Sequence, residues 1–135
     1  MKMKAYSSEK GLLVQLDGEI DHHGAAEVRD GLDHMIGELR PKTLVLDLKD
    51  IDFMDSSGLG LVLGRYRRLQ ELGSGMLIQD PSARVEKLLM MAGVDRLIKI
   101  IHTEAPQAQQ NAMQYEWDNM KGERKHDNEG TESAS

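Results

Sequence analysis

The chain has 135 residues, a formal net charge of −6 at pH 7 and no cysteine. The length favours one domain. Mixed, net acidic charge argues against bulk nucleic-acid binding, and the lack of cysteine excludes a disulfide, a thiol nucleophile and a cysteine zinc site. No apolar run approaches the ~20 residues that span a bilayer, and the start, MKMKAYSSEK, lacks the apolar stretch of a signal peptide. We therefore expect a cytoplasmic protein that binds neither nucleic acid nor membranes.

Short apolar runs predict the strands. They are a weak strand near Met3 to Ser7, then Leu12–Leu16, Thr43–Leu48, Met76–Ile78 and Leu97–Ile101. Thr43–Leu48 is the clearest of these, and its continuous apolar character indicates burial on both faces, as at the centre of a parallel or mixed sheet.

Apolar residues at spacings of three and four predict two helices in the first half of the chain. Asp21 is the expected N-cap of the first, and Arg40-Pro41 ends it because proline cannot continue a helix. Its inner stripe is Ala25, Val28, Leu32, Met35, Ile36 and Leu39. The second helix carries Leu59 to Leu69, with Gly73 as its expected C′ residue.

Two more helices are predicted in the second half. Asp80-Pro81 reads as an N-cap followed by proline at the first helical position. The inner stripe of this third helix is Val85, Leu88, Leu89 and Ala92, and the helix ends at Gly93. A final helix is expected from a Thr103 cap to about Tyr115.

Strands and helices thus alternate, which predicts an α/β fold whose sheet is joined by crossover helices. The segment from Lys121 to Ser135 has no large apolar residue, so it cannot offset the entropy of ordering. We therefore expect one domain over residues 1–118 and a disordered polar tail over residues 119–135.

The segment Met54–Gly60, between a strand end and a helix start, is the strongest functional signal. The hydroxyls of Ser56 and Ser57 can cap unpaired N–H groups at that helix start. One interpretation is therefore an ordinary serine cap, with Gly58 and Gly60 serving tight packing. The other is a phosphoacceptor serine, because a helix N-terminus tolerates a phosphate dianion.

Three motifs, in order and at suitable spacing, resemble the anti-sigma factor antagonists that have a STAS domain. They are Gly18-Glu19-Ile20-Asp21-His22-His23, Phe53-Met54-Asp55-Ser56-Ser57-Gly58-Leu59-Gly60 and Leu63-Gly64-Arg65-Tyr66. The resemblance runs from about residue 3 to 115. The paired histidines and the Gly64-Arg65-Tyr66 run look like the sporulation branch, which controls sigma F, and the general-stress branch is the alternative.

The resemblance implies a STAS-type mixed sheet of four to five strands with helices packed largely on one face. It also implies a non-catalytic protein that binds an anti-sigma factor serine kinase and so releases a sigma factor for transcription. The kinase would phosphorylate Ser56, and the phosphorylated protein would dissociate from the kinase. A metal-dependent serine phosphatase would restore the active form. No cofactor and no bound metal are expected.

Proximity to the Ser56 motif suggests which other residues contact the partner. We expect the contact surface to contain Asp21, His22, His23, Asp55, Ser57, Gly58, Arg65 and Arg67.

Several other functions are weaker alternatives. The glycines are spaced G-x-G-x-x-x-G rather than G-x-G-x-x-G, which disfavours a dinucleotide loop. Ser56 lacks the G-x-S-x-G context of a hydrolase nucleophile because position 54 is Met. His22-His23 lacks further ligands for a metal. A STAS module of an anion transporter or of a large scaffold is disfavoured by the lack of a membrane segment or a long extra domain.

Overall fold

The computed structural model describes residues 1–103 and two further strand segments, 113–117 and 124–126. The elements are β1 (Lys2–Ser8), β2 (Gly11–Ile20), α1 (His22–Leu39), β3 (Thr43–Met54), α2 (Ser56–Glu71), β4 (Gly75–Gln79), α3 (Ala83–Met91), a 3₁₀ turn (Val94–Arg96), β5 (Lys99–Ile101), β6 (Met113–Trp117) and β7 (Arg124–His126). The first five strands and three helices confirm the predicted mixed α/β fold.

The described strands form one sheet in the order β5-β4-β3-β2-β1-β6-β7. Strands β2 to β5 are parallel neighbours, and α1, α2 and α3 supply the crossovers between them. Strand β1 pairs antiparallel with both β2 and β6. Every crossover steps to the next strand in the same direction. Because such connections are right-handed, the three helices pack on one face of the sheet.

The core lies between that face and the helices. Buried side chains alternate along the strands at Met3, Ala5, Leu12, Val14, Leu16, Leu44, Leu46, Leu48, Met76 and Ile78. The helices cover them with Val28, Leu32, Met35, Ile36, Val62, Leu69, Val85 and Leu89. The core is aliphatic, since Phe53, the one phenylalanine of the chain, is 40% exposed.

The ends of α1 and α2 agree with the sequence analysis. Asp21 is the N-cap of α1, and the chain leaves α1 through Arg40, whose φ of 42° is left-handed. Helix α2 is followed by Gly73 with a φ of 77°, a conformation that costs glycine little. At these two turns the chain leaves α1 and α2 and returns to the sheet as β3 and β4.

Strand β3 is longer than predicted, because it continues from Leu48 to Met54. Only Ile51 and Met54 of this extension are buried, and the residues between them are exposed. That spacing is not the alternation expected of a half-buried strand. The pairing with β2 also shifts register between Gly18 and Glu19, as at a β-bulge. The extension carries the strand end to the site described below.

Burial on both faces of β3 is confirmed at its centre. Leu46 is inaccessible on the helix side, and Asp47 on the opposite face is only 2% exposed. The carboxylate of Asp47 accepts hydrogen bonds from Gln79 Nε2 at 3.1 Å and from the backbone N–H of Lys49 at 2.9 Å. A buried carboxylate needs such donors, and these hold the centre of the sheet together.

The N-cap predicted for the third helix is wrong. Ser82 caps α3, accepting a hydrogen bond from the Val85 N–H at 3.3 Å. The carboxylate of Asp80 instead accepts hydrogen bonds from the Thr103 N–H at 2.6 Å and its hydroxyl at 2.7 Å. Asp80 has a left-handed φ of 53°, which turns its side chain toward the end of β5 rather than toward the helix.

The end of the third helix and the last predicted strand also differ from expectation. Helix α3 ends at Met91, so Ala92 is its C-cap and is exposed rather than part of the inner stripe. Leu97 follows the 3₁₀ turn and is 53% exposed, and strand β5 begins only at Lys99. The 3₁₀ turn, which buries Val94, had no separate signal in the apolar pattern.

The final predicted helix, Thr103 to Tyr115, is wrong over residues 113–115, because Met113–Trp117 is strand β6 paired with β1. Its stretch 104–112 lies outside the described residues. Strand β7, Arg124–His126, pairs with β6 and falls within the predicted tail, so the expectation of disorder does not hold for those three residues. The remaining tail positions also lie outside the described residues, and their disorder stays a prediction.

Candidate functional site

Two strand-to-helix turns lie side by side at one edge of the sheet. Strand β2 ends at Ile20 and β3 ends at Met54, and these residues are partners in the parallel register. The backbone N–H of Asp55 donates to the carbonyl oxygen of Ile20 at 3.3 Å, which ties the two turns together. The carboxyl ends of parallel strands are where open α/β sheets place their sites.

An aspartate caps each of the two helices that start there. Asp21 Oδ1 accepts a hydrogen bond from the Gly24 N–H, and Asp55 Oδ1 accepts one from the Ser57 N–H, both at 2.8 Å. The bond from Gly24 lowers the pKa of Asp21 below its ordinary value, with a smaller contribution from nearby His23. Both carboxylates also offset the positive ends of their helices.

The Asp55 cap bears on one of the two interpretations of the serine motif. Ser56 is the first residue of α2 and is exposed, and its hydroxyl makes no hydrogen bond within the described part of the chain. The ordinary serine cap is therefore wrong, because the carboxylate before Ser56 does the capping. The Ser56 hydroxyl is left facing solvent at a helix N-terminus.

The glycines of the motif have different roles. A Cβ on Gly58 would overlap Met54 Cγ and lie 3.1 Å from Ile20 Cγ2, so glycine is required for packing there. A Cβ on Gly60 would meet nothing within 4 Å. Packing thus explains Gly58 and does not explain Gly60, which leaves open space on the surface of α2.

His22 and His23 lie in the first turn of α1, where both are exposed. Their rings approach edge to face, with centroids 6.0 Å apart and planes at 67°. No group of three His, Cys, Asp or Glu side chains suited to a metal ion occurs among the residues that the structure describes.

A cleft of about 270 Å³ lies between α1 and α2. We call it the α1–α2 cleft. It is lined by His22, Ala25, Ala26 and Arg29 of α1 and by Ser57, Gly60, Leu61 and Arg65 of α2. Arg29 was not predicted as a site residue, although it lies seven residues after His22 and hence on the same side of a 3.6-residue helix.

Arg65 joins the two helices. Its side chain is 12% exposed, and Nε lies 3.1 Å from Asp33 Oδ1 on α1. Arg68 contacts the same carboxylate oxygen at 3.0 Å and also donates to the Asp33 carbonyl oxygen at 3.2 Å. Burial lowers the pKa of Arg65, and Asp33 opposes that effect. Asp33 was not among the residues selected from the sequence.

The structure thus brings most of the predicted residues to one edge of the sheet. Asp21, Asp55 and Gly58 shape the paired turns, while His22, Ser57 and Arg65 line the cleft. Arg67 is exposed farther along α2 and does not line the cleft.

An apolar groove lies where the end of β3 meets α3. It has a volume of about 350 Å³ and includes Phe53, Met54, Leu88 and Met91. Phe53 and Met91 are 40% and 76% exposed. The Met54 side chain also packs against Gly58, so the groove and the Ser56 turn share a side chain.

Known proteins resemble this chain in sequence. An anti-sigma F factor antagonist of Paenibacillus polymyxa is 41% identical over 93 residues, which cover 69% of this chain and 80% of the relative. An anti-sigma-B factor antagonist of Bacillus subtilis strain 168 is 29% identical over 93 residues, covering 69% and 84%.

Solved structures resemble it as well. The anti-sigma factor antagonist SpoIIAA in its unphosphorylated form is 26% identical with a TM-score of 0.66, and the match covers 77% of this chain and 89% of that one. The phosphorylated form of SpoIIAA gives a TM-score of 0.63 over 77% and 92%. Residues 2–106 match the STAS domain family. That match covers most of the 135 residues, and the chain therefore belongs to the STAS domain family.

Proposed function

We propose that this protein is an anti-sigma factor antagonist switched by phosphorylation of Ser56. In the unphosphorylated form it binds an anti-sigma factor that is also a serine kinase, and a sigma factor is released for transcription. The observation that carries this proposal is the exposed Ser56 hydroxyl, which the Asp55 cap leaves without a structural task. The relatives named as anti-sigma factor antagonists support it.

Electrostatics favours a switch in binding rather than in folding. A phosphate on Ser56 adds about −1.5 to −2 charges at neutral pH. At the first turn of α2 those charges meet unpaired N–H groups and the positive end of the helix, so the fold tolerates them. A partner surface packed over Ser56 would instead have to desolvate the dianion, which weakens the complex.

The surface that meets the partner is proposed to surround Ser56 at the edge of the sheet. The residues proposed to form it are Asp21, His22, His23, Asp55, Ser57 and Arg65, and Phe53 of the apolar groove extends it. Gly58 was expected to contact the partner, but it is buried and contributes only by packing beneath this surface. The Asp55–Ile20 hydrogen bond ties the two turns together before binding, and such preorganisation should limit the entropy lost on association.

The proposed partners are an anti-sigma factor serine kinase and a metal-dependent serine phosphatase that removes the phosphate. The protein needs no catalytic group of its own, because the kinase supplies the groups for phosphoryl transfer. The sporulation branch is favoured over the general-stress branch, since identity is 41% to the anti-sigma F factor antagonist and 29% to the anti-sigma-B factor antagonist.

We expect this protein to act in the cytoplasm, where sigma factors meet RNA polymerase. Over the described residues, no helix is both long enough and apolar enough to cross a membrane. A small nucleotide-binding or hydrolytic domain is the competing function, and turnover by the isolated protein without a partner would favour it.

The test is affinity capture from a lysate of the source cells with ADP or with ATP, followed by identification of the captured protein and mapping of the phosphate. We expect a serine kinase to be retained with ADP, and to be released with ATP as Ser56 becomes phosphorylated. The Ser56→Ala variant should retain the kinase with either nucleotide. Phosphate found only on Ser57, or release of the Ser56→Ala variant by ATP, would contradict the proposal.

A further inference from the structure

The lining of the α1–α2 cleft has one sign of charge. Arg29 stands on the α1 wall and Arg65 on the α2 wall, and no carboxylate is among the lining residues. The whole chain carries a formal charge of −6, so this concentration of cations runs against its overall balance. Such a cleft attracts anionic groups.

The cations of the cleft are only partly neutralised. Asp33 serves both Arg65 and Arg68 through the same oxygen, so one negative charge faces two positive ones. Arg65 contacts Asp33 as an ion pair at 3.1 Å, and neither Arg65 Nε nor Asp33 Oδ1 makes a hydrogen bond within the described ranges. Arg29 contacts Asp30 at 3.5 Å with both side chains mostly exposed, a pair that contributes little.

We infer that the α1–α2 cleft receives the carboxylate of an aspartate or glutamate side chain of the bound anti-sigma factor. This inference rests on the proposed function and names the chemistry of one contact in it. A guanidinium fork matches a carboxylate with two parallel hydrogen bonds. Ala25, Ala26 and Gly60 keep the cleft open, and the empty space above Gly60 gives an incoming side chain its entry path.

The position of the cleft also accounts for release. Ser57 lines the cleft and Ser56 is its exposed neighbour at the start of α2. A phosphate on Ser56 would lie one residue from this lining, and we expect it to repel the carboxylate of the partner and to compete for the same arginines. Phosphorylation acts on a contact that is already electrostatic, without a change of fold.

The test compares two charge reversals in the full chain, each measured by titration with the purified kinase. Arg29→Glu alters the cleft. Arg96→Glu, the control, makes the same charge change at an exposed residue of the 3₁₀ turn after α3. We expect Arg29→Glu to weaken binding about tenfold or more, and Arg96→Glu less than about threefold. Arg29→Gln should fall between wild type and Arg29→Glu, and thermal unfolding verifies that each variant folds.

Ionic strength provides the second measurement. The affinity of the wild type should fall more steeply with added salt than that of Arg29→Gln, because salt screens the lost charge pair. The inference would be overturned if Arg29→Glu and Arg96→Glu bound the kinase equally well. It would also be overturned if the affinities of wild type and Arg29→Gln fell equally with salt. In either case, binding of the kinase by the wild type would leave the proposed function intact. Wild-type protein that binds no kinase would instead overturn the proposed function, and the inferred occupant with it.

Discussion

Asp55 Oδ1 accepts a hydrogen bond from the backbone N–H of Ser57 at 2.8 Å, across the intervening Ser56. Asp55 therefore caps the helix, and the Ser56 side chain takes no part in that cap. This division of roles allows a change of charge at Ser56 with little effect on the start of α2.

Replacing Ser56 separates binding from folding. Ser56→Asp should bind the kinase roughly tenfold or more weakly, about 1.4 kcal/mol or more, because the charge lies at the partner surface. Its thermal unfolding should match or slightly exceed that of wild type, since an acidic side chain at a helix N-terminus is favourable. Calorimetric titration and a melting curve measure both. A Ser56→Asp variant that binds as tightly as Ser56→Ala would contradict the switch.

Removing the Asp55 cap should affect stability instead. Asp55→Ala leaves the Ser57 N–H without its acceptor, which should lower the free energy of unfolding by about 1 kcal/mol, whereas Asp55→Asn should recover most of it. Urea denaturation measures the difference. Asp52→Ala is the control, because Asp52 is exposed in β3 and should change stability by less than about 0.5 kcal/mol.

Asp21 should contribute to the acid sensitivity of the fold. Its pKa is lowered in the folded state, chiefly by the hydrogen bond from Gly24. The stabilisation is therefore fully present above the unfolded pKa near 3.8 and is lost as the pH falls through the lower folded value. Asp21→Asn should lose less stability than wild type between about pH 6 and pH 2. The free energy of unfolding of each protein is measured by urea denaturation at several pH values. An equal loss of that free energy in the two proteins across this pH range would be evidence against this role.

Gly58 and Gly60 should respond in opposite directions to the same substitution. Gly58→Ala forces a Cβ against Met54 and should destabilise the fold, at a cost on the order of 1–3 kcal/mol. Gly60→Ala meets open space and should stabilise α2 by up to ~1 kcal/mol, while narrowing the α1–α2 cleft and weakening kinase binding. Denaturation and binding assays on the matched pair measure both effects. Destabilisation by Gly60→Ala would contradict the open surface.

Much of the fold was predictable because helices, strands and caps depend on neighbours in sequence. The apolar stripe from Val28 to Ile36 predicted the buried side of α1, and Asp21 predicted where that helix starts. The order of strands and helices indicated the sheet, and the motif around Ser56 indicated a turn between a strand and a helix, which the structure has between β3 and α2. Failures of the same local rules occurred where a longer-range partner was available, as when Asp80 bonded to Thr103 instead of capping α3.

The sequence by itself determined the class of fold, the approximate elements and the identity of the phosphoacceptor candidate. Only the tertiary structure decided that Asp55 rather than serine caps α2, that Asp33 ties α1 to Arg65, and that Arg29 faces Arg65 across a cleft. The physical reason is that periodicity assigns a side chain to one side of its own helix. The distance and angle between two helices, which decide what it meets there, come from packing both against the shared sheet.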